Sequence, residues 1–404
     1  MKRPELLIPA ANLEVLKLAV TYGADAVYIG GEVFSLRAKA DNFSFEDMRE
    51  GIAFAHDRGA RVFVTVNILA HNSDLSEAAE YIRGLSEIKP DALIVSDPGI
   101  IEVIKAEYPD AEIHISTQAN NVNYGTFNFW YKQGAKRVVC GRELSLAEMK
   151  EIRAHIPSDL EMEAFVHGAM CISYSGRCLL SNYFTGRDAN RGECTHPCRW
   201  RYAVAEESRP GEYLPIEENE RGTFIFNSKD LCMIDYIPEL MDSGVDSWKI
   251  EGRMKTALYV ATVARTYRMA IDDYLEDPEK YRANLPKYHE LIRECTYRQY
   301  STGFFFGKPS EEGQIYDEST YEQGSVFLGM VEGNEDGGAV IHQKNKFCVG
   351  DEIKIMKPDG RDILTHVIAI KGEDGKPKES CPHPKERLII VLDQPAEKYD
   401  LLKR

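Results

Sequence analysis

Five cysteines carry the clearest chemical signal in the chain. Cys171, Cys178, Cys194, Cys198 and Cys232 follow the spacing C-x6-C-x15-C-x3-C-x33-C. Thiolates are the ligands of choice for zinc and for iron–sulfur clusters. Structural zinc sites usually draw on close pairs such as C-x2-C, and no such pair occurs here. Wide, irregular spacing suits a cluster held from several loops. The expected cofactor is therefore a four-iron, four-sulfur cluster, with zinc as the alternative. A cluster needs only four thiolates, so one of the five is surplus. The bland alternative is five small buried side chains that happen to lie near one another. His167 and His196 fall in the same stretch, and His196 is a minor alternative ligand.

These thiols need elements that bring them together. Short apolar runs, rich in β-branched residues and not alternating, recur along the first half. They are Leu6-Leu7-Ile8, Ala26-Val27-Tyr28-Ile29, Val62-Phe63-Val64-Thr65-Val66, Ala92-Leu93-Ile94-Val95, Ile113-His114-Ile115, Arg137-Val138-Val139 and residues 162–166. Phe224-Ile225-Phe226 and Trp248-Lys249-Ile250 follow after a long interruption. Such runs fit parallel strands buried on both faces. Helical patterns separate them. Asn12, Ser44 and Ser145 sit where N-caps belong, and Gly23 and Gly59 sit where helices should stop. Repeated strand–helix units predict an α/β fold, a (β/α)8 TIM-like barrel over residues 1–275. Nine strand candidates compete for eight places, so one is misread or lies outside the barrel. In such a barrel the loops after the strands carry the active site. Cys171 follows the strand at 162–166, and Cys232 follows the run at 224–226. A Cys-rich insertion at about 168–222 is long enough to be functional.

The last part changes character. Residues 276–315 read as a helical linker containing Pro278. From there to residue 404 the chain shows short apolar runs and Asp-Gly turns, a strong hairpin signal. This predicts a small antiparallel β-barrel at 316–404.

Composition narrows the partners. The chain has 404 residues, 43% hydrophobic and 28% charged, with a net charge of −16. That balance is globular rather than disordered. An acidic chain is a poor non-specific partner for polyanions or membranes. No run of 18 apolar residues exists to span a bilayer, and the N-terminal segment does not read as a secretory leader. A cytoplasmic location is expected. Nine cysteines, an odd number, then point to thiol or metal chemistry before disulfides.

Polar residues at strand ends are candidates for the substrate pocket. Tyr28, Arg37, Asp41, Asn42, Asn67, Gln118, Lys249 and Arg253 are assigned to substrate binding or its surroundings. His71, His114, Arg177 and Glu251 are assigned to chemistry, and Asp97 and Lys255 lie nearby. For each alone the bland reading is a strand-end hydrogen bond. Arg177, Arg187, Arg191, Arg199, Arg201, Lys249, Arg253 and Lys255 concentrate near the cysteines of an otherwise acidic chain, as a phosphate-facing groove requires. Tyr174, Tyr183, Phe184 and Trp200 are available to stack on an unpaired base.

Residues 163–181, Glu-Ala-Phe-Val-His-Gly-Ala-Met-Cys-Ile-Ser-Tyr-Ser-Gly-Arg-Cys-Leu-Leu-Ser, resemble the signature of the collagenase-like peptidase family U32. The opening Pro4-Glu5-Leu6-Leu7-Ile8-Pro9-Ala10 and the segment Lys249-Ile250-Glu251-Gly252-Arg253-Met254-Lys255 are similar to the family as well. The family name implies proteolysis. Several members are instead cluster-bearing hydroxylation proteins acting on transfer RNA, ribosomal RNA or ubiquinone precursors. The chain most resembles the branch that makes 5-hydroxyuridine at the tRNA wobble position with prephenate as co-substrate. The resemblance implies tRNA as partner, a paralogous subunit as a further one, and cluster ligands Cys171, Cys178, Cys194 and Cys232, with Cys198 the spare. A peptidase built on Cys171 and His167 is the rival, although no His-Glu-x-x-His or Gly-x-Ser-x-Gly motif supports it. A non-enzymatic RNA-binding scaffold is the third expectation.

Overall fold

The computed structural model describes residues 2–35, 42–170, 185, 187, 218–219, 222–223, 229–307 and 324–404. Eight of the nine apolar runs become the strands of one closed parallel barrel. They are β1 (Glu5–Pro9), β2 (Ala26–Gly30), β3 (Arg61–Val66), β4 (Ala92–Val95), β5 (Ile113–Ile115), β6 (Arg137–Val139), β7 (Glu161–Gly168) and β11 (Ser247–Ile250). Each pairs with the next, and β11 closes on both β7 and β1. The ninth run, Phe224-Ile225-Phe226, lies outside the described residues, as do most of the Cys-rich insertion and Cys171, Cys178, Cys194 and Cys198. Of that insertion, the described part includes a hairpin of β8 (Glu218–Asn219) and β9 (Gly222–Thr223).

Helices α1 (Leu13–Thr21), α2 (Phe45–His56), α3 (Asp74–Ile88), α4 (Pro98–Glu107), α5 (Tyr124–Lys132) and α6 (Leu146–His155) cover the barrel. The expected caps act as such. Asn12 accepts from the Val15 amide, and Ser44 and Ser145 each form a capping box, with Asp47 and Glu148. Then come α7 (Ile237–Asp242), the long α8 (Ala257–Glu276) and α9 (Pro278–Arg293). Pro278 opens α9 behind the Asp277 cap, where its missing N–H costs nothing.

The barrel floor is ionic rather than apolar. Arg137, 1% exposed, places Nη1 2.6 Å from Glu5 and 3.0 Å from Glu163, and Nη2 2.6 Å from Glu161. Arg61 pairs with Glu5, and Ser247 donates to it. Burial alone would raise the Glu5 carboxyl, but Arg137 and Arg61 reverse that and hold it at about 2, against an ordinary 4.5. The folded chain therefore releases this proton more readily than the unfolded chain does. The stabilisation is complete above pH 4.5 and is lost as pH falls from there to about 2. Glu5→Gln is expected to flatten the pH dependence of urea unfolding in that window. It should also cost about 3 kcal/mol at neutral pH.

At the opposite end, β7 outruns the barrel. β10 (Asp230–Cys232) pairs antiparallel with its last residues, Leu231 opposite Gly168 and Cys232 opposite His167. β12 (Tyr300–Ser301) extends this edge alongside β10. Gly168 has φ +113°, and a Cβ there would meet the Glu251 carbonyl oxygen at 2.4 Å, so only glycine lets β7 leave the barrel this way.

The C-terminal barrel is antiparallel and closed. Its strands are β13 (Phe327–Glu335), β14 (Gly338–Gln343), β15 (Glu352–Met356), β16 (Asp362–Gly372), β18 (Arg387–Leu392) and β19 (Leu401–Lys403), with the short β17 (Pro377–Lys378) on β16. Asp336 and Gly337, both at positive φ, turn β13 into β14. The two barrels share a buried seam. Tyr22 donates to the Met356 carbonyl at 2.7 Å, and Arg265 lies 2.6 Å from Asp362. Among the described residues no helix is long and apolar enough to cross a membrane.

Candidate active site at the barrel mouth

The strand-end loops assemble a polar rim. Arg253, just beyond β11 and 5% exposed, donates to Ser35 Oγ at 3.0 Å, Asn42 Oδ1 at 3.2 Å and Thr65 Oγ1 at 3.3 Å. One guanidinium thus ties together the exits of β2, β3 and β11. Asn67, after β3, donates to Ser116 Oγ at 3.3 Å, and Ser96 donates to the Asn67 carbonyl at 2.8 Å. Gln118, in the turn after β5, is 6% exposed, and its Oε1 is buried without a hydrogen-bond partner among the described residues. Glu251 takes a bond from Arg142 Nη2 at 3.1 Å.

Other expected site residues are placed elsewhere. His114 is fully buried, in register with Arg137 at the floor end, and bonds Glu112 at 2.9 Å. Burial pushes its imidazole down from the usual value. Lys249 is 4% exposed inside the barrel, 2.7 Å from Glu163 and 4.4 Å above the Tyr28 ring. Tyr28 donates to the Ile250 carbonyl at 2.9 Å. Tyr28 and Lys249 thus pack together beneath the rim, with His114 at the floor end. His71 is exposed, its backbone N–H bonded to Asp74. Asp97 serves as the cap of α4. Arg37, Asp41 and Arg177 lie outside the described residues.

Arg142 escaped the sequence reading. It is nine-tenths buried and lies 4.0 Å over the Phe165 ring. It donates to the Ala169 carbonyl at 3.0 Å and to Glu251 at 3.1 Å, joining the exits of β7 and β11. Its signal is its place three residues beyond β6, in a loop after a barrel strand.

Cys232 is the described member of the thiol set. It is 8% exposed, and its Sγ lies 3.9 Å from the Tyr267 hydroxyl. That hydroxyl also donates to the Val166 carbonyl and receives the Met233 N–H. Burial pushes the Cys232 thiol up to about 12, so without a metal it stays protonated. Met170 and Leu231, which immediately precede Cys171 and Cys232, converge on one glycine. A Cβ on Gly303 would lie 3.3 Å from Leu231 and 3.5 Å from Met170. Met170, the last described residue before Cys171, and Leu231, the neighbour of Cys232, thus lie at the same end of β7. Cys140, Cys295, Cys348 and Cys381 are free thiols, and among the described residues no three His, Cys, Asp or Glu side chains group to hold a metal.

Residues 11–315 match the family model described as Peptidase family U32, and residues 323–403 match its C-terminal domain. The chain belongs to peptidase family U32. Within that family it is 40% identical to the tRNA hydroxylation protein P1 of Bacillus subtilis, over 100% of this chain and 95% of that one. An uncharacterized protease of Methanocaldococcus jannaschii is 42% identical over 75% of this chain and 73% of its own. The 23S rRNA 5-hydroxycytidine C2501 synthase of Escherichia coli is 38% identical over 68% of this chain and 40% of its own. In this U32 chain the matched family region contains the whole rim and all five clustered cysteines.

Proposed function

We propose that this U32 protein hydroxylates a uridine of tRNA, at the wobble position, with a four-iron, four-sulfur cluster bound by Cys171, Cys178, Cys194 and Cys232. The observation that carries the reading is end-to-end similarity to a tRNA hydroxylation protein, with 100% of this chain aligned. The rRNA hydroxycytidine synthase among its relatives supports C5 hydroxylation of a pyrimidine as the reaction class. Prephenate, implied by the sequence resemblance, is the co-substrate of this reading. When bound, the cluster supplies electron transfer or Lewis acidity.

The chain's own residues prepare the base. The rim is amide- and hydroxyl-rich, suited to the edge of an unstacked pyrimidine. Arg253 locks three strand exits, so Asn42 and Thr65 are held before substrate arrives. Among the described residues the Gln118 side-chain oxygen, Oε1, is a buried rim acceptor without a partner. A buried acceptor kept unsatisfied costs about 1–3 kcal/mol, a cost that a donating substrate N–H removes. Gln118→Leu is therefore expected to leave stability unchanged or slightly raised while lowering kcat/KM at least about tenfold. Parallel urea melts and single-turnover assays check this pair of outcomes.

His167 counts against the peptidase reading. It is 1% exposed, boxed by Tyr259, Tyr267 and Tyr300, and burial beside Lys255 pushes its imidazole down to about 3. Such a group is a poor base at neutral pH.

Deleting the gene and digesting total tRNA to nucleosides tests the proposal. Loss of 5-hydroxyuridine derivatives, restored by the plasmid-borne gene, is the expected result. An unchanged nucleoside profile in a strain without a second U32 gene contradicts it.

A further inference from the structure

The seam between the two barrels opens into a cavity of about 470 Å3. Among the described residues three cations line it, Arg253, Lys255 and Lys344, with one acid, Glu14. That excess stands out in a chain of net charge −16. Lys344 comes from the C-terminal barrel and lies 3.3 Å from Glu14, a half-exposed pair. Lys255 reaches the Thr296 carbonyl at 3.3 Å.

The cavity also receives two helix starts. β1 and β11 are neighbours, so α1 and α8, which follow them, begin side by side at the same end of the barrel as the rim. Their caps, Asn12 and Thr256, both line the cavity. Each cap side chain takes one early amide, that of Val15 at Asn12 and that of Tyr259 at Thr256, and the amides before these have no intrahelical acceptor and lie at the positive end of the dipole. Oriented amides flanked by lysines form a cradle for a tetrahedral oxyanion. The cavity is continuous with the rim through Arg253, which touches Ser35, Thr65 and Asn42 on one side and lines the cavity on the other.

We propose that this cavity binds a backbone phosphate of the RNA whose base enters the barrel mouth. The assignment rests on the RNA-modifying reading above and gives the C-terminal barrel a role in it, through Lys344. A phosphodiester next to the extruded nucleotide must leave the rim along some wall. Among the described residues this wall combines cations from both barrels with two helix starts.

The test is tRNA binding by the full-length chain, measured by fluorescence anisotropy across a salt series. Lys344→Ala is expected to weaken binding about three- to tenfold and to reduce the slope of log K against log salt by about 1. Lys255→Gln should do the same. Glu14→Gln should tighten binding, because it removes the repulsive charge. A merely structural Lys344–Glu14 pair would instead make both partners' variants weaken it. Unchanged affinity and slope in Lys344→Ala, with the unaltered chain binding tRNA normally, overturn the phosphate site alone. Failure of the unaltered chain to bind tRNA at any salt overturns the site and the RNA reading together.

Discussion

Cys232→Ala protein, purified without oxygen, is expected to lose nearly all of the ~4 iron and ~4 sulfide per chain expected of the unaltered protein. The loss should exceed the 10–100-fold typical of changing a residue behind a ligand. The physical reason is local. Cys232 is buried beside Tyr267, on β10 where it pairs with the end of β7, and alanine there leaves no donor atom for a metal. Cys198→Ala is the control, because the proposed set takes Cys232 and leaves Cys198 spare. It should retain its iron and its visible absorbance. Iron retained in Cys232→Ala but lost in Cys198→Ala would reverse the assignment. Zinc in both would replace the cluster by the alternative metal.

Arg137→Met is expected to destabilise the fold by about 3–5 kcal/mol, the range seen when one partner of a buried ionic group is removed. Arg137 faces Glu5, Glu161 and Glu163 at once, and Glu163 is itself fully buried. Burial raises the Glu163 carboxyl, but Lys249 and Arg137 outweigh it and hold it below the ordinary range. Without the guanidinium, buried carboxylates must take up protons or the floor must open. Glu161→Gln should cost much less, about 1 kcal/mol, because Glu161 is a quarter exposed and water replaces the bond. Urea unfolding at pH 7 separates the two. Equal effects would mean that the floor is hydrated.

Much of this architecture was legible in the sequence because parallel strands buried on both faces read as plain apolar runs. Residues 26–29 and 92–95 stand out for that reason. β10 and β12 were not legible. At three and two residues they carry no periodicity, and their pairing is set by where β7 ends. β16, the longest strand of the tail, was missed for another reason. Its apolar residues do not alternate with polar ones although its burial does: Val367-Ile368-Ala369-Ile370 reads as a run buried on both faces, while Leu364 and Ile368 are exposed at the barrel surface. The ionic floor was hidden too. Glu5 and Arg137 are 132 residues apart, and charges at strand starts read as solvated ends until the barrel closes.

The rim shows the same division. Asn42, Asn67, Gln118, Glu251 and Arg253 followed from the rule that residues after barrel strands face the mouth. That rule does not say how far a side chain within a strand lies below the mouth. His114 and Lys249 therefore read as site residues, while the structure places them in the barrel interior. Register decides this, and register needs the neighbouring strand.

The most direct measurement is 5-hydroxyuridine in tRNA from a deletion strain carrying either the unaltered gene or its Cys171→Ala form, with protein levels matched by immunoblot. Restoration by the unaltered gene and none by Cys171→Ala is the predicted result. Full restoration by Cys171→Ala would show that hydroxylation proceeds without this thiolate, and would contradict the account.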